Sequence, residues 1–438
     1  ANIKDCVVKN NGGSGLVVDN SGKVMLEGCD FSFNVGHGAG VYGSDVNFVN
    51  CTFSSNKSKG LEYKDYAVVV LRNCNVQNNL GDGIAPEWRY YGTLVLDGCT
   101  VQGNGGRGVS GDWASVSLSN CTIVSNRGDW GVTGRPVVMR NCVVKGNKNG
   151  VYHYDGEVTV VDSDIENNEG WGLYVAKGST SVDGIKGNKI TGNKRGVGFG
   201  GVANPFLRVE GNDIYGNSEY EAVNEGGSAI VTENTFWGEP TTTEIREQMQ
   251  SNGFVSLLSK IFDSRHDPSK GFIVIKSYRP TQDGSPEPVV QGKSGVITTA
   301  ETWSGTIMLS GDVTVKPGGS VRVLAGTVVK AIGAQDDQAS GAHTSKIELI
   351  VDGGELRVEG EENNPVVFTT TGGIGDWYGV RIVKHAGDIV IKNCKIEKAI
   401  NGIEVLSSRS DVFPTIERVS ILGASGTGIY IKVGTLPP

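Results

Sequence analysis

Aromatic and acidic side chains between residues 87 and 171 are the groups in this chain best suited to binding chemistry. Sugars pack their CH faces on aromatic rings and bond through their hydroxyls to carboxylates, so this mixture suits a glycan. The same residue types are enriched at protein interfaces, and packing of long turns against the fold is a third interpretation. The predicted glycan- or partner-binding residues are Trp88, Tyr90, Asp112, Trp113, Asp129, Trp130 and Trp171.

Catalysis on a glycan needs more than aromatic rings. It requires paired carboxylates, or a calcium-binding acidic cluster with an Arg or Lys base. Gly36-His37-Gly38 matches one short motif of polygalacturonases, but the acidic pairs and the Arg-x-Lys that accompany it are absent. His153 has no obvious acidic partner, and Asp336-Asp337 is interpreted as a solvated loop. We therefore predict no catalytic residue, metal or cofactor; an enzyme with this sequence would be a polysaccharide lyase or a glycoside hydrolase.

Ten asparagines recur along the first half of the chain at intervals of about 21–25 residues. Such a period is typical of a solenoid in which each repeat forms one coil. Asparagine tolerates left-handed backbone geometry, and its amide can bond to the same amide on the coils above and below. We predict a structural ladder formed by Asn11, Asn34, Asn56, Asn79, Asn104, Asn126, Asn147, Asn168, Asn193 and Asn217.

Each repeat contains three short runs of alternating residues separated by turns. Val116-Ser117-Leu118 is one such run, and Gly108-Val109 begins another. A repeat of this length has no room for a helix. The sequence therefore predicts an all-β parallel β-helix with three strands per coil, about 21–25 residues per coil and a short α-helical insertion.

Seven of the eight cysteines share one register, five residues before a ladder asparagine, and Cys394 lies in a similar context. Coils about 4.8 Å apart would bring consecutive thiols close enough for a disulfide. Ser163, Asn188 and Asn212 fill the same position in later repeats, which indicates a slot for small side chains. We expect stacked free thiols, because the paired spacing of metal and redox motifs is absent.

Three segments are predicted along the chain. Residues 1–238 form β-helix coils with the Cys and Asn ladders, 239–295 form an amphipathic helical flap and linker, and 296–438 form a second β-helix block. Apolar residues at helical spacing from Ile245 to Phe262 predict one or two helices. Residues 263–295 are rich in Pro, Asp, Ser and Gly, a composition typical of a linker.

The net charge and the hydropathy argue against nucleic acid as a partner and against a transmembrane segment. The net charge is -8 and the sequence pI is about 5.3. No basic stripe is visible, which argues against nucleic acid. No stretch is long and apolar enough for a transmembrane segment. The expected partners are a glycan and further copies of the chain.

Several segments resemble a known family. Asn234-Thr235-Phe236-Trp237-Gly238 and the stretch ending in Tyr278-Arg279-Pro280 resemble its closing segment, whereas residues 311–319 and Trp377-Tyr378-Gly379-Val380 resemble its opening segment. The coil pattern is similar to the right-handed parallel β-helix repeats of secreted prokaryotic proteins, often called carbohydrate-binding and sugar-hydrolysis repeats. The resemblance implies a right-handed parallel β-helix at an extracellular or cell-surface location. It does not imply one activity, because the family includes lyases, epimerases, adhesins and surface-layer proteins.

The order of these segments is inverted relative to the family, since the coils and closing segment precede the opening segment. Both chain ends then fall within a solenoid, where open strand edges invite pairing with another chain. We predict a non-enzymatic structural protein that stacks end to end as a homo-oligomer or polymer, forming a filament, sheath or surface layer. The alternatives are a carbohydrate-binding or carbohydrate-processing fragment of a larger tandem secreted protein, and an adhesion module.

Overall fold

A computed structural model describes the chain except for residues 88–90, 202–206, 268, 334–335, 337, 339, 385–386, 408–413 and 434–438. It divides into two compact units. The first contains Ala1–Thr243, Ser259–Ile261 and Val274–Pro288, and the second contains Glu244–Leu258, Phe262–Ile273 and Val289–Pro438. Residues of the predicted flap and linker are therefore shared between the two units.

Three parallel sheets, numbered here in the order of their first strands, form the coils of the first unit. The first sheet contains Asn2–Lys4, Lys23–Glu27, Asp45–Val49, Val68–Arg72, Thr93–Asp97, Ser115–Ser119, Val137–Arg140, Glu157–Val161, Ser179–Lys186, Arg208–Glu210, Ile230–Glu233 and Ile273–Ile275. The second contains Leu16–Asp19, Ala39–Tyr42, Leu61–Lys64, Ile84–Pro86, Val109–Ser110, Val132–Gly134, Val151–His153, Trp171–Val175, Arg195–Phe199, Tyr220–Asn224 and Ile261–Phe262. The third contains Thr52–Ser54, Asn75–Gln77, Thr100–Gln102, Thr122–Val124, Val143–Lys145, Asp164–Glu166, Lys189–Thr191 and Asp213–Tyr215.

Neighbouring coils pair in register, so each repeat position stacks on itself. In the first sheet Leu94 pairs with Val69 on one side and Val116 on the other, and all three side chains are buried. The alternating residues face outward, as the strand period requires. Burial of each aliphatic side chain contributes about 1.5–3 kcal/mol, and the core grows along one axis.

The ten ladder asparagines form one continuous row of hydrogen bonds. Asn104 donates through Nδ2 to Oδ1 of Asn126 at 2.9 Å, and its backbone N–H donates to the same oxygen at 3.2 Å. Its Nδ2 also donates to the carbonyl of Val76, one coil back, at 3.1 Å. All ladder asparagines except Asn11 are buried, so the row satisfies polar groups inside the core.

The left-handed corners lie one residue earlier than the ladder amides. None of the ten ladder asparagines has a positive φ, whereas the residue before each of them does, as at Phe33 (60°) and Asn78 (56°). A second left-handed residue precedes each position of the cysteine row, as at Asn50 (52°). The tolerance of asparagine for this geometry therefore does not explain the ladder. Its hydrogen bonds do, while a neighbouring residue makes the turn.

The ladder ends on a carboxylate that the sequence interpretation missed. Asn217 donates its side-chain amide to Oε2 of Glu221, and its backbone N–H donates to Oε1 at 3.3 Å. Glu221 is fully buried, and burial raises the pKa of its carboxyl to about 7. A glutamate thus replaces the next asparagine, and the folded protein disfavours its charged form.

Replacing Glu221 by glutamine is expected to flatten the dependence of stability on pH. Because the folded pKa is raised, this carboxyl supports folding below its ordinary pKa of 4.5, and the contribution is lost as the pH rises through about 7. At about pH 8, Glu221→Gln should raise the free energy of unfolding by on the order of 3 kcal/mol, with little change at about pH 4. Urea unfolding at both pH values measures the difference.

The matched control is Glu219→Gln. Glu219 is partly exposed and accepts hydrogen bonds from Arg195, and the guanidinium of Arg195 holds the pKa of this carboxyl below its ordinary value. Its substitution should therefore give no gain at alkaline pH. An equal gain in both variants would contradict the role assigned to Glu221.

The cysteines form a second interior row. All eight are free thiols, and seven are buried, with Cys6 partly exposed. The Cys74 thiol donates to the carbonyl of Arg72 at 3.3 Å, and its sulfur accepts the N–H of Cys51 at 3.4 Å. Ser163 takes the same place later in the row, where its hydroxyl accepts the N–H of Cys142 at 3.1 Å. The slot therefore holds a small side chain that bonds to the neighbouring coil.

One helix, Thr241–Asn252, occupies the predicted flap. It ends before Gly253, whose φ of 76° lies in the left-handed region. A second helix over residues 254–262 does not form: Phe254 is buried in the β-core of the second unit, and Ile261–Phe262 is a strand. The apolar spacing there reflects burial in β-structure rather than a helical face.

The segment 263–295, in which a linker is predicted, is packed at both ends, whereas residues 281–290 are mostly exposed. Asp263 and Arg265 are fully buried and paired with each other, and Gly292–Ile297 is a strand of the second unit. A short antiparallel pair, Ser277–Tyr278 with Glu287–Pro288, also lies in this segment. Polar composition indicated solvent exposure throughout, but Asp263 and Arg265 bond to each other inside the protein.

One sheet of thirteen strands, with all its pairs parallel, forms the second unit. It encloses a core that includes Trp303 and Trp377. The strands are Gly292–Ile297, Ala300–Trp303, Thr306–Val315, Ser320–Leu324, Val328–Ala331, Glu348–Asp352, Glu355–Glu359, Val366–Thr370, Gly379–Lys384, Ile389–Glu397, Ile403–Ser407, Thr415–Leu422 and Ile429–Val433.

Asp336 organises the loop in which solvation was expected. Its Oδ1 accepts the N–H groups of Asp312 at 3.1 Å and Gln338 at 3.0 Å. Burial, together with the charge of Asp336, raises the pKa of Asp312 to about 7. Asp337 lies outside the described residues. At least one carboxylate of the acidic pair, that of Asp336, therefore helps to hold the loop through hydrogen bonds to backbone N–H groups.

Candidate functional site

The outer surface of the second sheet carries the candidate site. Thr133, Tyr152, Tyr174 and Gly198 follow one another in register on consecutive coils. Their neighbours along the strands, such as Val151, point into the core. Strand alternation therefore projects Tyr152 and Tyr174 outward, one above the other.

Five half-buried rings form what we call the aromatic track. Tyr152 stacks on Tyr174 with ring centroids 5.6 Å apart and an interplanar angle of 18°. Trp130 and Tyr154 meet the edge of Tyr152 at 4.9 and 4.5 Å, and Trp171 meets Tyr174 at 5.0 Å. The track thus spans three consecutive coils, and each ring keeps part of its surface exposed.

A glycine makes room for one end of the track. A Cβ at Gly198 would lie 2.6 Å from ring carbons of both Trp171 and Tyr174. Both rings therefore pack closely against the backbone of the next coil at this position. Tyr174 donates its hydroxyl to Glu225 at 2.7 Å, and the Arg195 guanidinium lies 5.0 Å from the Trp171 ring. These contacts fix the two rings in place.

A cavity of about 250 Å³ lies beside the track on the preceding coils. Arg107 contributes to its wall and donates to Asp112 at 2.7 Å and to Asp129 at 2.6 Å. The hydrogen bond from Arg107 lowers the pKa of Asp129, so both groups are charged at neutral pH. The cavity is lined by Asp82, Ala85, Pro86, Glu87, Arg107, Ser110 and Asp112.

A second set of rings is more exposed. Tyr66 stacks on Tyr91 at 5.9 Å, and Tyr91 meets Trp113 edge-on at 5.9 Å. Tyr66 and Tyr91 are 75% and 53% exposed. The Arg135 guanidinium covers the Trp113 ring at 4.9 Å. These rings lie in the turns that follow the second sheet rather than on its strands.

The structure brings together most of the residues predicted from sequence. Arg107 joins Asp112 to Asp129, and Trp130 and Trp171 belong to the aromatic track through their tyrosine neighbours. Trp113 belongs to the second set of rings. Trp88 and Tyr90 lie outside the described residues. Sequence reasoning missed Arg107, Tyr152, Tyr174 and Gly198 as members of this surface, although the shared strand register of the last three was a usable signal.

The two histidines considered for catalysis are held in place by hydrogen bonds. His37 accepts the N–H of Lys59 at Nδ1, at 3.3 Å, and its Nε2 lies 3.3 Å from the buried carboxylate of Glu62. His153 accepts the N–H of Val137 at Nδ1 and faces the carbonyl of Gly156 with Nε2, at 3.3 and 3.1 Å. Burial lowers both pKa values, that of His153 to about 4. Both rings are therefore neutral near pH 7.

Within the described ranges, no group of three or more His, Cys, Asp or Glu side chains is arranged to hold a metal ion. Among the same residues, no helix has the length and apolarity needed to cross a membrane.

The stacked coils and their in-register ladders define a parallel β-solenoid. Residues 1–136 and 88–184 match the family model described as a right handed beta helix region. Over residues 1–184 the chain is thus similar to the right-handed β-helix family. No curated protein and no solved structure shows significant similarity to it.

Proposed function

We propose that this protein is a non-enzymatic extracellular or cell-surface β-helix that binds a glycan on the outer surface of its second sheet. The observation that carries the proposal is the aromatic track, in which five half-buried rings occupy three consecutive coils beside a carboxylate-lined cavity. The resemblance of the coils to repeats of secreted carbohydrate-active proteins supports the same class of ligand.

The chemistry of the surface suits sugar rings. Aromatic side chains offer rigid apolar faces at small cost in conformational entropy, and the carboxylates of Asp82, Glu87 and Asp112 accept hydrogen bonds from hydroxyls. Contacts within the protein hold Trp171 and Tyr174 in position before a ligand arrives. Such preorganisation favours binding because less freedom is lost.

Replacing Trp171 by alanine is expected to weaken glycan binding at least about tenfold, because a preorganised tryptophan that packs against a ligand contributes a large share of the binding energy. A glycan array identifies the ligand, and titration calorimetry then measures its Kd with each variant. The control is Tyr66→Ala, which removes an exposed ring outside the aromatic track. Equal affinity of Trp171→Ala and the unsubstituted protein for every array ligand would contradict the proposal.

Association through coil edges is a second candidate function. It is supported by Leu422, Ile429 and Ile431, which are exposed apolar residues in the strands Thr415–Leu422 and Ile429–Val433. Apolar strand edges of this kind pair with further strands. Sedimentation velocity over a wide range of concentrations should show species that grow by whole multiples of the chain if a second copy covers this edge. A single species at every concentration would overturn that proposal and leave glycan binding untouched.

A further inference from the structure

We infer that residues 340–343 form a pH-sensitive clasp in the second unit, closed while the buried Asp312–Glu348 pair keeps a proton and open once that proton is lost. The clasp is a short and largely exposed segment, whereas the pair that it contacts is buried. This device is separate from the proposed glycan-binding surface, which lies in the first unit.

The clasp is fastened through the two carboxyl groups. Ser340 donates its hydroxyl to Oδ2 of Asp312 at 2.8 Å. The N–H groups of Ala342 and His343 donate to Oε1 of Glu348 at 2.8 and 2.9 Å. The stability of this segment therefore depends on carboxyl groups that can gain or lose a proton.

The two carboxyls meet beneath a glycine of the clasp. Asp312 and Glu348 are 1% and 0% exposed, and the N–H of Glu348 donates to Oδ1 of Asp312 at 2.7 Å. A Cβ on Gly341 would lie 2.6 Å from Oδ2 of Asp312 and 2.7 Å from Oε2 of Glu348. Both oxygens thus approach the same point beside the glycine. Two negative charges this close repel each other strongly in a buried site.

The surroundings supply one guanidinium for several carboxylates. Arg381 donates to Oε2 of Glu348 at 2.8 Å, but its Nε donates to Glu404 at 2.5 Å. Asp336 adds negative charge, since its Oδ1 accepts the N–H of Asp312 at 3.1 Å. Other charged side chains of the surrounding elements are paired, or lie four residues along the strands from the pair: Arg265 with Asp263, Lys293 with Glu301, Lys316 with Asp352 and Lys346 with Asp376, and Lys330 and Lys384 as register partners of Met308 and Asp352.

The direction of the pH response follows from this imbalance of charge. Burial and the charge of Asp336 raise the pKa of Asp312 to about 7, and burial raises the pKa of Glu348. A carboxyl whose folded pKa is raised supports the closed state below its ordinary pKa, and the support is lost as the pH rises through about 7. Opening returns both carboxyls to water, where they ionise freely. The clasp is therefore closed in mildly acidic solution and opens in alkaline solution.

Hydrogen exchange of the full chain, followed by mass spectrometry at about pH 6 and about pH 8.5, measures the opening. EDTA is included so that no divalent cation replaces the proton. After correction for the intrinsic effect of pH on exchange, we expect the protection of residues 340–343 to fall at least about tenfold between the two pH values. The core strand Val366–Thr370 should keep its protection.

Two variants identify the responsible carboxyl. Asp312→Asn should remove most of the fall, because the amide still accepts the N–H of Glu348 and cannot ionise. Asp376→Asn is the control. The N–H of Gly373 and the ammonium of Lys346 hold the pKa of Asp376 below its ordinary value, so this carboxyl stays charged across the interval and its substitution should leave the fall unchanged.

Three results would overturn the clasp. Constant protection of residues 340–343 in the unsubstituted chain would do so without reference to any variant. An equal fall in the unsubstituted chain and in Asp312→Asn would assign the opening to another group. An equal fall in Val366–Thr370 would show that the whole unit loosens at alkaline pH instead of one segment.

Discussion

Replacing Arg265 by alanine is expected to lower the free energy of unfolding of the second unit by about 4 kcal/mol. Arg265 and Asp263 both have side chains 0% exposed, and Nη2 of the arginine donates to the carboxylate at 2.6 Å. Its Nη1 donates to the carbonyl of Ser256 at 2.9 Å. The substitution leaves a buried carboxylate without its countercharge and a carbonyl without its donor. Native-state hydrogen exchange, which reports local stability, measures the loss in residues 256–273.

Two further variants show whether burial causes the effect. Arg322→Ala removes an arginine that is 59% exposed and pairs with Glu359, so it should cost less than about 1 kcal/mol. Arg265→Lys keeps the charge but lacks the planar fork of donors, so it should recover only part of the lost stability. Equal losses of unfolding free energy for Arg265→Ala and Arg322→Ala would show that burial does not increase the contribution of the ion pair to stability.

The buried pair illustrates what the sequence could not reveal. Asp263 and Arg265 stand in a stretch whose Pro, Asp, Ser and Gly content is typical of exposed linkers. Their burial depends on Ser256 and Ile273, whose carbonyls receive the arginine donors. Tertiary structure determines which carbonyls lie around the guanidinium, and this cannot be inferred from amino-acid composition.

The repeating part of the fold was predictable because its contacts recur at the same positions in every coil. Each coil repeats the same positions, so ten asparagines at a nearly constant interval showed the period, and three alternating runs in each repeat showed the strand count and the fold class. The position of the left-handed corners was also visible in the sequence, because seven of the ten residues that precede a ladder asparagine are Asn or Gly, the types that best tolerate a positive φ. Glu221 was missed because it ends the pattern instead of repeating it.

The candidate site was visible in part. Residue type alone selected Trp130, Trp171 and Asp129, because aromatic and acidic residues cluster in the turns. Tyr152 and Tyr174 were missed because unequal turn lengths partly hide their shared strand register, which is the signal in the sequence for their common outward direction. Arg107 was missed because the carboxylates that it joins are five and twenty-two residues away in sequence.

Replacing Asn126 by leucine is expected to lower the free energy of unfolding of the first unit by about 4 kcal/mol. The Asn126 amide is buried, donates to the carbonyl of Val101 and to Oδ1 of Asn147, each at 3.2 Å, and accepts two hydrogen bonds from Asn104. Leucine has a similar volume but leaves several of these groups without a partner inside the core, each at a cost of about 1–3 kcal/mol. Urea unfolding of the full chain, with hydrogen exchange to localise the loss, measures the change.

The matched control is Asn11→Leu at the exposed end of the same ladder. Asn11 donates through Nδ2 to Asn34 at 2.9 Å, but its amide is exposed, so water replaces the lost bond and the cost should stay below about 1 kcal/mol. Asn126→Asp keeps the two acceptor bonds but removes both donors and adds a buried charge, so it should destabilise as strongly as leucine. An unchanged unfolding midpoint for Asn126→Leu would mean that aliphatic packing alone holds the coils together. The asparagine ladder would then be a regular feature of the repeat that does not stabilise the fold.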